Sequence, residues 1–561
     1  MVRDETAGRD RSTRRARRYA RPIATRTRST TSGRTKPAVS KDPTRPELPR
    51  WRAALAGALA AAIALAVTEL VSAVASPSRP SVVTSVADRF VDLAAGSLRG
   101  VAVSEFGTND KAALLVGIVI ISLGIGALTG EAAAKRRWVG RVVFAVFAGI
   151  GIFSGWTDSQ ASSSVTAIGS ILGGLAGVAT LELLLWLGRT ATISEAIPPG
   201  VQDPRVKAAD RRTFLLAAGG LGAFAAVSAI AARGLRGAGP ASRSRAAVTL
   251  PPPSESVPVP ATQPFTVDGL SPYVTPNGDF YRIDTAIFVP QVDATTWKLT
   301  IKGKVDHTVS FTYADLLAMP LIEQPVTLAC VSNDVGGPLV GNAAWLGVPL
   351  TKLLDRAGVH PDATQIVGRS VDDFTVGFPT EKAYDGRVAM VAVGMNGEPL
   401  PVTHGFPARL VVAGLYGYVS ATKWLKNIEL TRLEDYDAYW VPRGWSKEAP
   451  IKLQSRVDVP RSGATIPAGP TAIAGVAWDP SVGVSKVEVQ LDNATWNAAE
   501  LGDVASKNTW VQWRYQWNAT PGQHVAAVRA YDANGQVQTD VTSTPDPDGA
   551  TGYHYRGFNV S

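Results

Sequence analysis

One cysteine, Cys330, occurs in the 561 residues of this chain. A disulfide framework within the monomer is therefore excluded. A lone cysteine is most often a small buried hydrophobe, so its neighbours decide whether it does chemistry. As a thiolate it would be a soft ligand, suited to a metal that cycles between oxidation states. Small groups of polar and cationic residues accompany it along the chain: Tyr281 with Arg282, Ser370 with Asp372, His404 and Arg409, Thr422 with Lys423, and Arg443 with Trp445. Any one of them alone would be an ordinary surface salt bridge or hydrogen bond. The five histidines are His307, His360, His404, His524 and His554, and none falls in an apolar segment. A bis-histidine haem within a membrane is thus excluded for this chain alone, and no Cys-x-x-Cys-His haem attachment can form.

The elements that must carry these residues divide the chain. A mean hydropathy of +0.07 is high for a soluble protein of this length and places part of the chain in lipid. Residues 1–50 form a basic tail, with Arg14-Arg15 and Arg17-Arg18, few apolar residues and a composition typical of disorder. The formal charge of +9 is concentrated in such runs, which lack aromatic interleaving. This excludes nucleic-acid binding and favours contact with anionic lipid. Residues 51–233 hold five apolar segments, Arg52–Ala75, Ala112–Thr129, Arg141–Trp156, Val165–Leu187 and Thr213–Ala232. Four meet the roughly 20 residues that a spanning helix needs, and the third is short. Gly169, Gly173 and Gly177 predict close helix approach. Glu69 and Glu182 lie near segment ends, within reach of headgroups. Basic residues gather in the tail, at Lys135–Arg141 and between Arg189 and Arg212, while the loop around Ser154–Ser164 has none. The positive-inside rule then puts the N-terminus in the cytoplasm and everything past about residue 233 outside the cell membrane. Asp210-Arg211-Arg212-Thr213-Phe214-Leu215 resembles an internal twin-arginine export signal.

Residues 234–264 are a Pro-rich linker, expected to act as a semi-rigid spacer. From 265 to 445 short β-branched runs alternate with short helical patterns, as in an α+β domain. Its pieces are Thr275–Arg282, Val326-Thr327-Leu328-Ala329-Cys330, Trp345–Leu350, Met395–Pro401, His404-Gly405-Phe406-Pro407-Ala408-Arg409 and Thr422-Lys423-Trp424-Leu425. In order and spacing they resemble the molybdopterin domain of the sulfite oxidase superfamily. The resemblance implies one molybdenum–molybdopterin cofactor per domain, with Cys330 as the protein ligand to the metal. His404, Arg409 and Lys423, with Thr422 beside them, match the positions that anchor the cofactor and its phosphate. Tyr281 and Arg282 match the stretch lining the pterin and facing the metal, and Ser370 or Asp372 matches a further pterin contact. Sulfite oxidases follow the ligand cysteine with a basic stretch, whereas this chain reads Val331-Ser332-Asn333-Asp334. Trp445 stands where those enzymes bring a tyrosine to the metal, and Arg443 is a compensating cation. Cys330, Arg282, Arg443 and Trp445 are therefore the candidate catalytic residues.

Residues 446–561 alternate at period two over Ser485–Asp492 and carry an Asn534-Gly535 turn, which predicts an immunoglobulin-like β-sandwich. It resembles the domain through which sulfite oxidases dimerise, so a homodimer is one expected assembly. Trp478, Trp496, Trp510, Trp513 and Trp517 are expected in its core or at an interface. The fold expected is multi-domain: transmembrane helices, an α+β molybdopterin domain and an all-β domain. The function expected is two-electron oxo-transfer on a small sulfur or nitrogen compound, with a separate cytochrome or quinone-linked electron carrier. The alternatives are a sulfite oxidase proper and a cofactor-free, membrane-tethered binding protein.

Overall fold

The computed structural model describes residues 48–94, 110–196, 211–235, 239–260 and 265–561. Most of the basic tail, together with Arg205, Lys207 and Asp210, lies outside the described residues. Among the described residues five helices are long and apolar enough to cross a membrane: α1 (Arg50–Ala75), α3 (Asp110–Lys135), α4 (Arg137–Thr157), α5 (Ser163–Ala196) and α6 (Arg211–Leu235). A shorter amphipathic helix, α2 (Val82–Ala94), lies between the first two. α1 is the centre of this bundle and packs on α3, α5 and α6. Its run of alanines and glycines makes that possible. A methyl group added at Gly57 would overlap the backbone of Gly126 and Gly130, and one at Gly173 would overlap Thr68 Oγ1 and the Ala64 carbonyl. Thr68 Oγ1 accordingly reaches the Gly169 carbonyl at 3.3 Å. The outer surfaces are apolar, with Ile120, Ile121 and Leu128 of α3 and Leu216 and Ile230 of α6 exposed, as lipid-facing positions would be.

The third segment is longer than its apolar run. Helix α4 begins at Arg137, and Arg141 is bonded to Glu182 of α5 at 2.7 Å, so the charge that shortens the run does not end the helix. Glu182 is thus engaged by a neighbouring helix, besides lying near a segment end. The linker also departs from a spacer. Its described part is laid against the domain that follows: α7 (Pro240–Ala246) buries Ala241, and Arg245 donates to the carbonyls of Pro399 and Leu400. The strand β1 (Glu255–Ser256) pairs with the domain's own sheet. Proline content favours an extended chain, but an extended chain can also serve as a sheet edge.

Two sheets build the domain that follows the linker. The first has the order β1, β4 (Ile322–Ala329), β5 (Val340–Pro349), β8 (Ala389–Met395), β10 (Arg409–Val412), with β9 (Glu398–Pro399) beside β8. The second has the order β3 (Val309–Thr312), β2 (Lys298–Gly303), β11 (Leu425–Thr431), β6 (Gln365–Ser370), β7 (Thr375–Pro379). β8 is buried along its whole length, and each Val or Met it removes from water stabilises the fold by about 1.5–3 kcal/mol. Helices α8 (Tyr313–Leu317) and α9 (Leu350–Ala357) complete the layers, α8 opened by a capping box between Thr312 and Asp315.

The C-terminal domain is a two-sheet sandwich. One sheet is β12 (Gln454–Val459), β14 (Gly469–Trp478), β18 (Val511–Ala519), β17 (Glu500–Leu501). The other is β13 (Thr465–Ile466), β20 (His554–Val560), β19 (Gly522–Asp532), β15 (Val484–Leu491), β16 (Asn497–Ala498). The tryptophans divide between two cores. Trp513 lies at the centre of the sandwich, whereas Trp478 and Trp510 belong to the core of the preceding domain. Thr327 of β4 is held there from both ends. Its N–H donates to the Asn508 carbonyl (2.9 Å), and its Oγ1 accepts from the Trp510 N–H (2.7 Å). The strand that ends at Cys330 is therefore fixed in part by the sandwich.

Candidate active site

Cys330 follows β4 directly and is 7% exposed. Its N–H donates to the Leu339 carbonyl at 2.9 Å, and its carbonyl accepts from the Asn333 N–H at 3.1 Å. The turn between β4 and β5 is tied down further. Asn333 Oδ1 accepts from the Leu339 N–H at 2.7 Å, and Arg456 of the sandwich donates to the Gly337 carbonyl at 2.8 Å. Asp334 is exposed.

Two tyrosines stand next to Cys330. Burial pushes the Tyr281 hydroxyl far up, and the neighbouring Cys330 adds to the shift against the opposing charge of Arg409. Tyr416 is likewise pushed up, by burial first and by Cys330 among the charges near it. Tyr281 stacks on Phe280 at 5.2 Å, and Phe280 meets the edges of Trp345 and His404.

The polar residues converge around a glycine. Gly405 has φ +111°, and a Cβ there would press on the Lys423 backbone and on Arg409 Cβ. The tight turn it permits brings His404, Arg409 and Lys423 together. His404 is buried, with Nε2 3.2 Å from the Asn277 carbonyl. Burial, followed by the charges of Lys423 and Arg409, lowers its pKa to about 3, so the ring is neutral at physiological pH. With Nε2–H donating to the carbonyl, Nδ1 is left as an acceptor. Arg409 donates to the His404 carbonyl at 3.2 Å and lies over the Trp345 ring. Its burial lowers its pKa to about 10.

Asp284 ties the cations together. Its Oδ2 accepts from Lys423 Nζ at 2.9 Å and from Arg282 Nε at 3.0 Å, and Lys111 of α3 bonds to its Oδ1. Burial works to raise its pKa, but the charges of Lys423, Lys111 and Arg282 outweigh that and hold the carboxyl well below the usual carboxylate range. Burial in turn lowers Lys423 to about 8, although Asp284 opposes the shift. Ser370, at the end of β6, and Asp372 lie on the turn whose Val371 N–H donates to the Trp424 carbonyl. This places them beside Thr422 and Lys423. Burial raises the Asp372 carboxyl, and the nearby Asp284 adds to the effect.

Three buried polar atoms in this set have no well-formed hydrogen bond among the described residues: His404 Nδ1, Thr422 Oγ1 and Ser370 Oγ, the last lying close to the Asp372 carboxyl. Leaving a buried donor or acceptor unmet costs about 1–3 kcal/mol. Three such atoms beside an excess of buried cations describe a cradle shaped for an anionic, hydrogen-bonding group. No group of three or more His, Cys, Asp or Glu side chains gathers among the described residues to hold a metal by protein ligands alone.

Arg443 and Trp445 engage other partners. The Arg443 guanidinium lies 3.7 Å over the Tyr439 ring and donates to the Tyr439 carbonyl, while Trp445 packs on Tyr418 at 5.7 Å. The sequence reading missed Asp284, Tyr416 and Lys111. Asp284 follows Arg282 at i+2, the same side of an extended segment, which could have revealed it. Lys111, 173 residues from Asp284, gives no such signal.

Residues 286–440 match the model of the oxidoreductase molybdopterin binding domain, and residues 455–543 match that of a bacterial Ig domain. An uncharacterised oxidoreductase of Bacillus subtilis, YuiH, is 32% identical over 153 residues, which cover 27% of this chain and 74% of that protein. The chain belongs to the sulfite oxidase superfamily of molybdopterin oxidoreductases. Human mitochondrial sulfite oxidase is 28% identical to this molybdopterin oxidoreductase over 320 residues, 48% of this chain and 58% of the human protein. The chain thus spans about half the length of the mammalian sulfite oxidases it matches. The sulfane dehydrogenase SoxCD of Paracoccus pantotrophus aligns over 54% of this chain and 90% of its own at 23% identity, with a TM-score of 0.44.

Proposed function

We propose that this molybdopterin oxidoreductase is anchored in a membrane and carries out two-electron oxo-transfer on a small sulfur or nitrogen compound outside the cytoplasm. The observation that carries the reading is the cradle of unmet buried atoms and cations beside the one thiol. His404, Arg409, Thr422, Lys423 and Ser370 or Asp372 would hold the cofactor, Tyr281 and Arg282 would line it, and Cys330 would bind its metal. When bound, the cofactor supplies a metal centre able to exchange an oxygen atom and two electrons with substrate. The residues of the chain do the rest. Neutral His404 offers an acceptor at Nδ1, Arg409 and Lys423 neutralise phosphate, and Tyr281 and Tyr416 close off water around Cys330 with protonated hydroxyls. Electrons pass between the site and a separate carrier, cytochrome or quinone-linked, and the sandwich is a candidate dimer surface.

Topology is supported by contacts. Helix α2 and the turn between α4 and α5 touch the catalytic domain, whereas Lys135, Arg136 and Arg137 lie at the opposite ends of α3 and α4. These contacts support a domain on the face away from the basic loops, in keeping with the positive-inside rule. Sulfite itself is a second substrate reading, favoured by the relatives that are sulfite oxidases, with Arg282 and Arg443 as its cations.

The test is Cys330→Ser in cofactor-loaded protein assayed on a panel of sulfur and nitrogen oxides. Turnover should vanish on every substrate while pterin stays bound, because the residues that hold the phosphate are untouched. Wild-type turnover in the variant would refute the role of Cys330.

A further inference from the structure

The bundle of membrane-length helices meets the catalytic domain around the residues that hold the cradle. Lys111, at the start of α3, donates to Asp284 and to the Ala286 carbonyl (2.7 Å). Asp88 of α2 accepts from the Ile287 N–H at 3.2 Å, and Asp92 of the same helix accepts from the Tyr439 hydroxyl at 2.9 Å. Ser159, between α4 and α5, donates to the Val371 carbonyl at 3.4 Å. Residues 284–287 follow Arg282, and Val371 lies between Ser370 and Asp372. The outer end of the bundle is thus a wall of the cradle.

We infer that Lys111 is a positioning residue of the cofactor site, so that the membrane-anchoring region is part of the site as well as its tether. The inference rests on the molybdopterin reading above. Lys423 and Arg282 Nε bond to Oδ2 of Asp284, while Oδ1 takes Lys111 and a longer bond, 3.4 Å, from Arg282 Nη2. A carboxylate held at both oxygens cannot rotate, and its orientation sets where the Lys423 ammonium points. Lys111 also adds to the positive charge that Arg282, Arg409 and Lys423 already bring against the carboxyl groups of Asp284 and Asp372. The ligand this surplus suits is a phosphate dianion such as the cofactor's. The catalytic domain alone would present the same cradle with Oδ1 of Asp284 held only by the 3.4 Å bond from Arg282.

The experiment uses the full chain, purified in detergent as wild type and as Lys111→Ala, Lys111→Arg and Asp92→Ala. Bound molybdenum and pterin per chain are followed during dialysis. Lys111→Ala should lose cofactor about tenfold faster than wild type, as is typical when a supporting partner of a site is removed. Lys111→Arg should restore retention, because length and charge remain. Asp92→Ala weakens the same docking surface away from Asp284 and should retain cofactor. Wild-type retention in Lys111→Ala, failure of Lys111→Arg to rescue, or equal loss in Asp92→Ala would overturn the inference. Wild-type protein that carries no pterin would overturn the cofactor reading, and this inference with it.

Discussion

Asp284→Asn separates the charge network from its shape. Asparagine fills the same volume, so no cavity opens, but Lys423 loses the carboxylate it bonds to. The side chains of Asp284 and Lys423 are 8% and 10% exposed, which makes theirs a buried pair. Removing one partner of such a pair costs about 3–5 kcal/mol, because the other charge is left uncompensated. Lys111 and Arg282 are 27% and 34% exposed, and water replaces most of what they lose. In protein made without cofactor, the melting temperature should fall by roughly 10 °C. In loaded protein the phosphate would still face Lys423, and the fall should be less than half as large. The pH dependence has a definite sign. Asp284 is held below its ordinary range, so its contribution is present above about pH 4 and is lost as the pH falls through its lower folded value. The gap between wild type and variant should therefore narrow as acid is added. Thermal unfolding of both forms in detergent, followed by tryptophan fluorescence, measures all of this. A fall below about 2 °C without cofactor, or equal falls in the two forms, would refute the argument that this network holds the phosphate site together.

If Asp334 and Trp445 stand, as the resemblance implies, in place of the basic stretch and the tyrosine of sulfite oxidases, sulfite should be oxidised weakly. Efficient turnover whose KM rises on Arg443→Ala would show that Arg443 supplies the missing cation. Arg211→Lys with Arg212→Lys preserves charge, so only a receptor that reads the arginine pair itself would respond. The expected result is a loaded catalytic domain left inside, protected from protease added to spheroplasts, and an accessible domain would end the twin-arginine reading. Asp88 is raised to about 7, by burial first and by Asp158, Asp372 and Asp92 among its neighbours. Its contribution to stability is therefore complete below about pH 4 and is lost as the pH rises through 7. Melting temperatures between pH 5 and 8 should fall in wild type and flatten in Asp88→Asn; parallel curves would count against the assignment.

Much of this protein was legible in its sequence because the signals are local. A spanning helix needs only a run of apolar residues, and a half-buried strand only alternation, as at Ser485–Leu491, which lies within β15. The ordered pieces from Thr275 to Leu425 carried the family, since each is a short stretch read from neighbouring residues alone. Helix ends were less legible. The apolar run of α4 begins at Arg141, but an ion pair to α5 allows the helix to start at Arg137. The linker likewise looked free until Arg245 found the carbonyls of Pro399 and Leu400, a partnership no composition encodes.

The sequence by itself determined that Cys330 is the one thiol the chain can offer a metal, that five segments are apolar enough to span a membrane, and that the ordered pieces from Thr275 to Leu425 resemble the molybdopterin family. Only the tertiary structure decided which charges meet. Asp284 gathers Lys423, Arg282 and Lys111 from segments up to 173 residues away from it, and Thr327 of the cysteine strand is held by Trp510 of the next domain. The physical reason is that burial makes an electrostatic partner indispensable while leaving its place in the chain unconstrained. Spacing therefore reveals partners on one helix or strand, and only the fold reveals those that come from different domains.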